Sequence, residues 1–224
     1  MEDFSKLKEI ERVRKRPAVI FGGTGLEGYR GVIKEVLKFA LVETETKEKT
    51  CITVELKADN SIKLIIDNTG VKIDEFYPEL NRFDWELVFT ELWGRTLLTK
   101  KDETSEEGIL LGLPEAFVCA VQFCCEFMNV TVVRNGTEHT LHFENGVNIG
   151  GLKSEKTVQK KESTEIEFKI DSKILGEVNI SEDIEYFNTF LEGCSLTGKN
   201  CFVLRFYKGE HRVERAYRNG HRCG

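Results

Sequence analysis

The sequence has 224 residues, of which 40% are hydrophobic and 31% are charged, and its formal net charge at pH 7 is −6. These values are ordinary for a globular protein and predict one large domain or two small ones with a sizeable core. The acidic balance disfavours broad electrostatic attraction to nucleic acid or anionic lipid, so no direct DNA binding and no membrane partner are expected. The sequence shows no run of roughly 20 apolar residues and no signal-peptide pattern at its start, which predicts a cytoplasmic protein.

Cysteine and histidine usage argues against a metal site. The seven cysteines are odd in number and form no C-x-x-C pair. Cys119, Cys124 and Cys125 lie in an apolar stretch, where packing in the core is the simplest interpretation. His139 and His142 are three residues apart in a segment typical of a strand, which places them on opposite faces. No structural metal is expected.

The most informative stretch begins with the basic run Arg14–Pro17, which leads through apolar residues to a glycine-dense turn. Apolar residues then recur from Val32 to Leu41 with helical spacing, which predicts a helix with one buried stripe. Glu35 and Phe39 are four residues apart and are neighbours on an adjacent face of that helix.

A hairpin follows the helix. Ile52, Val54 and Leu56 alternate with polar residues, and the same period continues in the second arm after the turn Ala58–Ser61. The second arm ends at Asp67-Asn68-Thr69-Gly70, where turn-forming residues replace the alternation.

The remainder of the chain is predicted to alternate helices and strands around two solvated loops. The first predicted elements are a helix within Asp74–Trp93 with Phe83, Leu87, Phe89 and Leu92 as core, a polar loop Thr99–Gly108, and a helix Glu115–Phe127. They are followed by strands Asn129–Arg134 and Glu138–Phe143 around Asn135-Gly136, a second solvated loop Ser154–Glu162, and a strand Ser163–Phe168. The last are a helix capped by Ser181 and ended by Gly193, and a hairpin of Cys201–Tyr207 with Arg212–Tyr217.

These segments resemble the ATPase domain of the gyrase B and topoisomerase IV B proteins, which belong to the GHKL superfamily. RKRP and Gly22 match the family's RKRPGMYIG without a gap, and ADNSIKLIIDNTGVKI resembles its ADNSVxVxDDGRGIP. The resemblance implies an α+β fold, the GHKL (Bergerat) two-layer sandwich, with a mixed and mostly antiparallel sheet and helices on one face. It spans nearly the whole chain, residues 1–224, as a single domain, and we recognise no counterpart of the transducer or DNA-cleavage domains.

The resemblance also implies a nucleotide site. Glu35 falls on the family's general base, Thr164 on the threonine that supports the adenine-binding aspartate, and Arg134 on an arginine at the pocket mouth. For the adenine-binding aspartate itself two alignments are open. The ungapped one places Ile66 there, whereas a bulge near the strand end would place Asp67 there and turn its side chain to the pocket.

Two departures from the family pattern affect the metal and the phosphates. Phe39 stands where the family has its magnesium-binding asparagine, so magnesium is not expected. In the segment that matches the family's ATP lid, Gly112 is the one glycine kept. Pro114 offers no N–H group, and Glu115 places a carboxylate in the first turn of the predicted helix, where the family binds phosphate.

Three functional hypotheses follow from the resemblance. In the favoured one, the chain binds ATP or ADP through Asp67, Thr164, Arg134 and Gly112 but has little or no hydrolysis. In the second, it is a pseudo-ATPase interaction module without nucleotide. In the third, it is an ATP-hydrolysing domain of a type II topoisomerase-like protein with Glu35 as the base. A protein partner or a homodimer is compatible with each.

Overall fold

The computed structural model of the chain describes residues 7–45, 50–94, 117–159, 161–196, 200–208 and 210–223. The helices are α1 (Glu9–Lys15), α2 (Ala18–Phe21), α3 (Gly25–Thr44), α4 (Asp84–Phe89), α5 (Val118–Phe123), α6 (Ser172–Leu175) and α7 (Ile184–Ser195), with a 3-10 turn at Ile180–Asp183. The strands are β1 (Cys51–Leu56), β2 (Ile62–Asp67), β3 (Phe76–Tyr77), β4 (Arg82–Phe83), β5 (Cys125–Arg134), β6 (Thr137–Glu144), β7 (Val147–Asn148), β8 (Lys153–Lys156), β9 (Ser163–Ile170), β10 (Cys201–Lys208), β11 (His211–Arg218) and β12 (His221–Cys223).

Ten strands form one sheet in the order β12-β11-β10-β1-β2-β9-β5-β6-β7, with β8 also paired to β6. The pair β1–β10 is parallel, and the other pairs of this sheet are antiparallel. A separate two-stranded ribbon joins β3 to β4. The predicted α+β class with a mixed, mostly antiparallel sheet is therefore confirmed.

One face of the sheet carries the core. In β2 the side chains of Ile62, Leu64 and Ile66 are buried, whereas the residues between them are partly exposed. The apolar stripe of α3 packs in the same core cluster as these strand residues. This alternation fixes an inner face, toward the helices, and an outer face for every strand. No helix among the described ranges is long and apolar enough to cross a membrane.

Most of the segment Asp74–Trp93, which we predicted to contain one helix, is not helical. Only α4 is helical there, and the ribbon β3–β4 precedes it. Pro78 supplies no N–H group to a helix, and Asn81 has a positive φ of 51°, so the chain turns back before α4 begins. Phe83 consequently lies 39% exposed and packs edge-on against Phe76, whereas Leu87 and Phe89 are in the core as expected.

Three other predicted helix boundaries are wrong. The helix expected over Glu115–Phe127 ends at Phe123, and its last expected turn belongs to β5, because an apolar run carries no decisive period. The helix expected to begin at Ser181 begins at Ile184 instead, after the 3-10 turn that contains Ser181. Asn179 caps this turn, because its side chain accepts a hydrogen bond from the Ser181 N–H at 3.2 Å. Gly193 lies inside α7 rather than at its end.

Two helical glycines provide a matched test of the packing between the helices. A Cβ added at Gly31 in α3 would stand 2.1 Å from the Phe21 carbonyl oxygen, whereas a Cβ at Gly193 in α7 has nothing within 4 Å. We expect Gly31→Ala to lower the free energy of unfolding by about 1–3 kcal/mol, because the backbone of α2 must move. Gly193→Ala should raise it by about 0.5–1 kcal/mol, because alanine restricts the unfolded chain. Urea unfolding followed by circular dichroism measures both, and effects of the same sign would contradict the close approach of α2 to α3.

Candidate functional site

The helix α3 places Glu35 and Phe39 one turn apart, and both side chains are buried. Glu35 is 6% exposed, and its two oxygens have different partners. Oε1 accepts from the Lys38 ammonium at 2.7 Å, and Oε2 accepts from the backbone N–H of Phe117 at 3.1 Å. The carboxylate at the general-base position is thus held by a neighbouring cation and by the residue that precedes α5.

Phe39 belongs to an aromatic cluster rather than to a polar site. Its ring centroid lies 6.2 Å from that of Phe89 in α4, and Phe89 in turn lies 5.9 Å from Phe143 in β6. All three rings are buried and join α3, α4 and the sheet. The position that the resemblance assigns to a magnesium ligand is therefore part of the hydrophobic core.

The register of β2 against β9 places Ile66 opposite Thr164 and Asp67 opposite Ser163. Ile66 is fully buried on the inner face with Thr164. Asp67 lies on the outer face, where its side chain is 39% exposed and its Oδ2 stands 3.4 Å from the Lys161 ammonium. Of the two residues that the alignments leave open, Ile66 therefore faces inward with Thr164 and Asp67 does not, because β2 has no bulge and successive side chains point to opposite faces.

Thr164 fastens the loop that follows β2. Its hydroxyl donates to the Thr69 carbonyl oxygen at 2.8 Å and accepts from the Val71 N–H at 3.1 Å. The Thr69 hydroxyl is itself buried and has no hydrogen-bond partner. Sequence reasoning missed this second threonine, although its position directly before Gly70 in the matched motif is a signal that could have found it.

Gly70 and Arg134 meet at the same end of the sheet. A Cβ on Gly70 would come within 2.6 Å of the Val133 carbonyl oxygen, so glycine is required for the loop to approach β5. Arg134, the last residue of β5, donates from Nη1 to Asp74 Oδ1 at 3.0 Å. Asp74 was not foreseen as its partner, because an ion pair between residues so far apart in sequence has no local signal.

The structure therefore gathers Ile66, Thr164, Gly70 and Arg134 at one end of the sheet, and it leaves Asp67 on the other face. Gly112, Pro114 and Glu115 lie outside the described residues. Within the described ranges, no group of three or more potential ligands that could hold a metal ion is found. The roles assigned to these residues in nucleotide binding and catalysis remain predictions.

The fold is a mixed sheet with helices on one face, a buried glutamate on the long helix, and a loop at the sheet end in which Thr164 holds the residues on either side of Gly70. This is the arrangement of the gyrase-B-type ATPase sandwich. Comparison with known proteins agrees. The chain is 32% identical to the gyrase B protein of Thermus thermophilus over 171 residues, which are 76% of this chain and 26% of that protein. It is 32% identical to the topoisomerase 4 B protein of Caulobacter vibrioides over 176 residues, which are 78% of this chain and 24% of that protein.

The structural comparison gives the same result. The chain matches the crystal structure of the 43K ATPase domain of Thermus thermophilus gyrase B in complex with an aminocoumarin, with a TM-score of 0.72 and 27% identity, over 96% of this chain and 52% of that one. No family profile matches the chain. The chain is a homologue of the ATPase domain of DNA gyrase B and topoisomerase IV B proteins, and it spans about a quarter of the length of these relatives.

The Glu35–Lys38 contact yields a test of the site. Removing the cation with Lys38→Met leaves a buried carboxylate without its charged partner, and we expect the free energy of unfolding to fall by about 1.5–3 kcal/mol. In a Glu35→Gln background, Lys38→Met should change the free energy of unfolding little, because the neutral amide still accepts from the Phe117 N–H and needs no cation. Urea unfolding of the four proteins measures the coupling, with Lys173→Met at an exposed position as the control. Equal costs in both backgrounds would contradict the ion pair.

Proposed function

We propose that this chain is a pseudo-ATPase, a gyrase-B-type domain that does not turn over ATP and serves as a binding module for a protein partner. The observation that carries the proposal is Ile66, which is buried beside Thr164 at the position where the family resemblance places an adenine-binding aspartate. An alkyl side chain offers no acceptor to the adenine amino group. Burying that group without a hydrogen bond is unfavourable by about 1–3 kcal/mol.

The residues of α3 do not fit the magnesium ion that the resemblance implies. Magnesium takes oxygen ligands in near-octahedral geometry, and the ring of Phe39 has none to give. The Lys38 ammonium stands 2.7 Å from the Glu35 carboxylate, where its positive charge would repel a divalent cation. Phe39 and Lys38 therefore do not provide a site for magnesium on α3.

The position of Glu35 supports the same conclusion. A general base must reach the proton of the attacking water and accept it. Both oxygens of Glu35 are already engaged, one by Lys38 and one by the backbone of Phe117. A carboxylate held in this way contributes to folding, whereas the family role requires it to face a water beside the terminal phosphate.

The part of the proposal that concerns a protein partner is supported by apolar side chains at the surface. Val19 in α2 is 79% exposed and Trp93 after α4 is 54% exposed. An interface with another protein that covered these side chains would remove their apolar area from water, which is favourable. The retained sandwich would then act through its surface rather than through its pocket.

Calorimetric titration of the full chain with a non-hydrolysable ATP analogue, with and without magnesium, tests the proposal, together with adenosine and a hydrolysis assay. We expect neither ligand to bind, no phosphate release above background, and no change with Asp67→Ala, because that carboxylate lies on the outer face. Glu165→Ala, at another outer-face position of the sheet, is the matched control.

Two outcomes would overturn the pseudo-ATPase. If the parent binds adenosine and Asp67→Ala weakens binding by about 1.5–3 kcal/mol, Asp67 is the adenine acceptor after all. If analogue affinity falls more than about tenfold on chelation of magnesium, worth about 1.4 kcal/mol, the metal has ligands that α3 does not supply.

A second candidate function, binding of adenine nucleotide without turnover, has one observation in its favour. The Thr69 hydroxyl is buried, has no partner, and lies in the loop that Thr164 holds. A buried hydroxyl without a partner destabilises the folded protein, unless a ligand or a water molecule forms a hydrogen bond with it.

Thr69→Val distinguishes these cases. In a domain without nucleotide we expect the variant to be more stable to urea by up to about 1 kcal/mol, because an unpartnered buried hydroxyl is replaced by a methyl group of similar shape. If Thr69 serves a nucleotide, the same variant will instead weaken adenosine binding measured by calorimetry. Thr189→Val, at an exposed position of α7, controls for the change in side-chain chemistry.

A further inference from the structure

Two cysteines lie side by side where the parallel strands β1 and β10 begin. The register pairs Cys51 directly with Cys201, and it pairs the next residues, Ile52 and Phe202, with each other. Ile52 and Phe202 are buried on the inner face. Because side chains alternate along a strand, Cys51 and Cys201 both point to the outer face, where each is partly exposed.

The geometry of this pair meets the requirements of a disulfide. Directly opposed residues of neighbouring strands have Cα atoms about 5 Å apart, within the range of about 4.4–6.8 Å that disulfides span. In a parallel pair both Cβ atoms leave the sheet on the same side. Both cysteines are free thiols, and Cys201 is close enough to Cys51 to contribute to the raised pKa of the Cys51 thiol.

We propose that Cys51 and Cys201 form a reversible disulfide by exchange with a low-molecular-weight disulfide, and that this bond clamps the strands β10–β12 to the central sheet. In the sheet order, β10 is joined to the remaining strands only through β1. The bond would therefore cross the one strand boundary that connects the C-terminal strands to the rest of the sheet.

The reaction is balanced as two successive displacements. One cysteine, as the thiolate, attacks a sulfur of glutathione disulfide, which forms a protein–glutathione disulfide and expels one glutathione thiolate. The second cysteine loses its proton to solvent and attacks the protein sulfur of that mixed disulfide, which expels a second glutathione. Two protein thiols are oxidised, and one glutathione disulfide is reduced to two thiols.

The surroundings of Cys51 determine how readily its thiol forms the reactive thiolate. Burial, the adjacent Cys201 and the Asp67 carboxylate raise the pKa of the Cys51 thiol to about 11. The thiolate of Cys51 is therefore scarce at neutral pH, so attack on glutathione disulfide by Cys51 is slow. The second step is intramolecular, because the strand register holds Cys51 and Cys201 side by side, and it is fast by comparison.

The test exposes the folded chain to glutathione disulfide, alkylates the remaining thiols without reduction, and maps the peptides by mass spectrometry. We expect the peptides with Cys51 and Cys201 to be linked and two hydrogens lighter than their sum, and free thiols to fall from seven to five because two are consumed. Dithiothreitol should reverse both changes. Cys51→Ser and Cys201→Ser should abolish the link, whereas Cys194→Ser and Cys223→Ser should preserve it.

Complete alkylation of both cysteines after exposure would overturn the proposal, as would a link found only in disulfide-bonded dimers on a non-reducing gel. A mixed glutathione disulfide that persists at either position would show that the sulfurs cannot approach. The clamp is tested separately by amide hydrogen exchange of the unmutated chain. This measurement does not require any variant to fold. Amides of β10–β12 should exchange at least about tenfold more slowly in the oxidised protein, and unchanged exchange would refute the clamp.

Discussion

Successive side chains of a β-strand point to opposite faces of the sheet. The register of β2 against β9 therefore determines whether an apolar or an acidic side chain faces the helices, because a shift by one residue would exchange the two faces. In this chain the deciding position is Ile66, opposite Thr164. The loop after β2 depends on that register, because Thr164 bonds the Thr69 carbonyl and the Val71 N–H only from the inner face. The close approach of Gly70 to the end of β5 depends on the loop in turn. The threonine and the glycine therefore keep a structural role, whether or not a nucleotide is present.

The helix α3 shows how protein groups stabilise a buried acid. Glu35 lies on the core side of the helix, where an uncompensated carboxylate would be strongly destabilising. Lys38, one turn further along, supplies the opposite charge, and the Phe117 N–H supplies a hydrogen bond. Phe39 can then join Phe89 in the aromatic cluster without leaving Glu35 unpaired. These substitutions are consistent with one another, which supports the view that α3 is specialised for packing.

The sequence predicts most of this fold, because the period of apolar residues in α3, β1 and β2 is long and regular. It fails where an apolar run has no decisive period, as at the end of α5, and where a short ribbon interrupts a helical pattern, as before α4. Of the site, Glu35, Thr164 and Gly70 could be recognised from the sequence through the family resemblance. The partners of Glu35 and Arg134 could not be recognised as a set, because Phe117 and Asp74 are distant in sequence and meet them only through the tertiary fold.

The same alternation that turns Ile66 inward carries polar chemistry to the outer face. Asp67 lies there beside Lys161, and its carboxylate acts on the neighbouring Cys51 thiol. Cys201 extends this row across β1 to β10. At this end of the sheet the inner face holds Ile52, Ile66 and Phe202, which are all buried and apolar. The reactive and charged groups thus lie on the outer face of the sheet, whereas the gyrase B resemblance assigns the inner face to nucleotide. Any chemistry of these groups would therefore take place on the outer face.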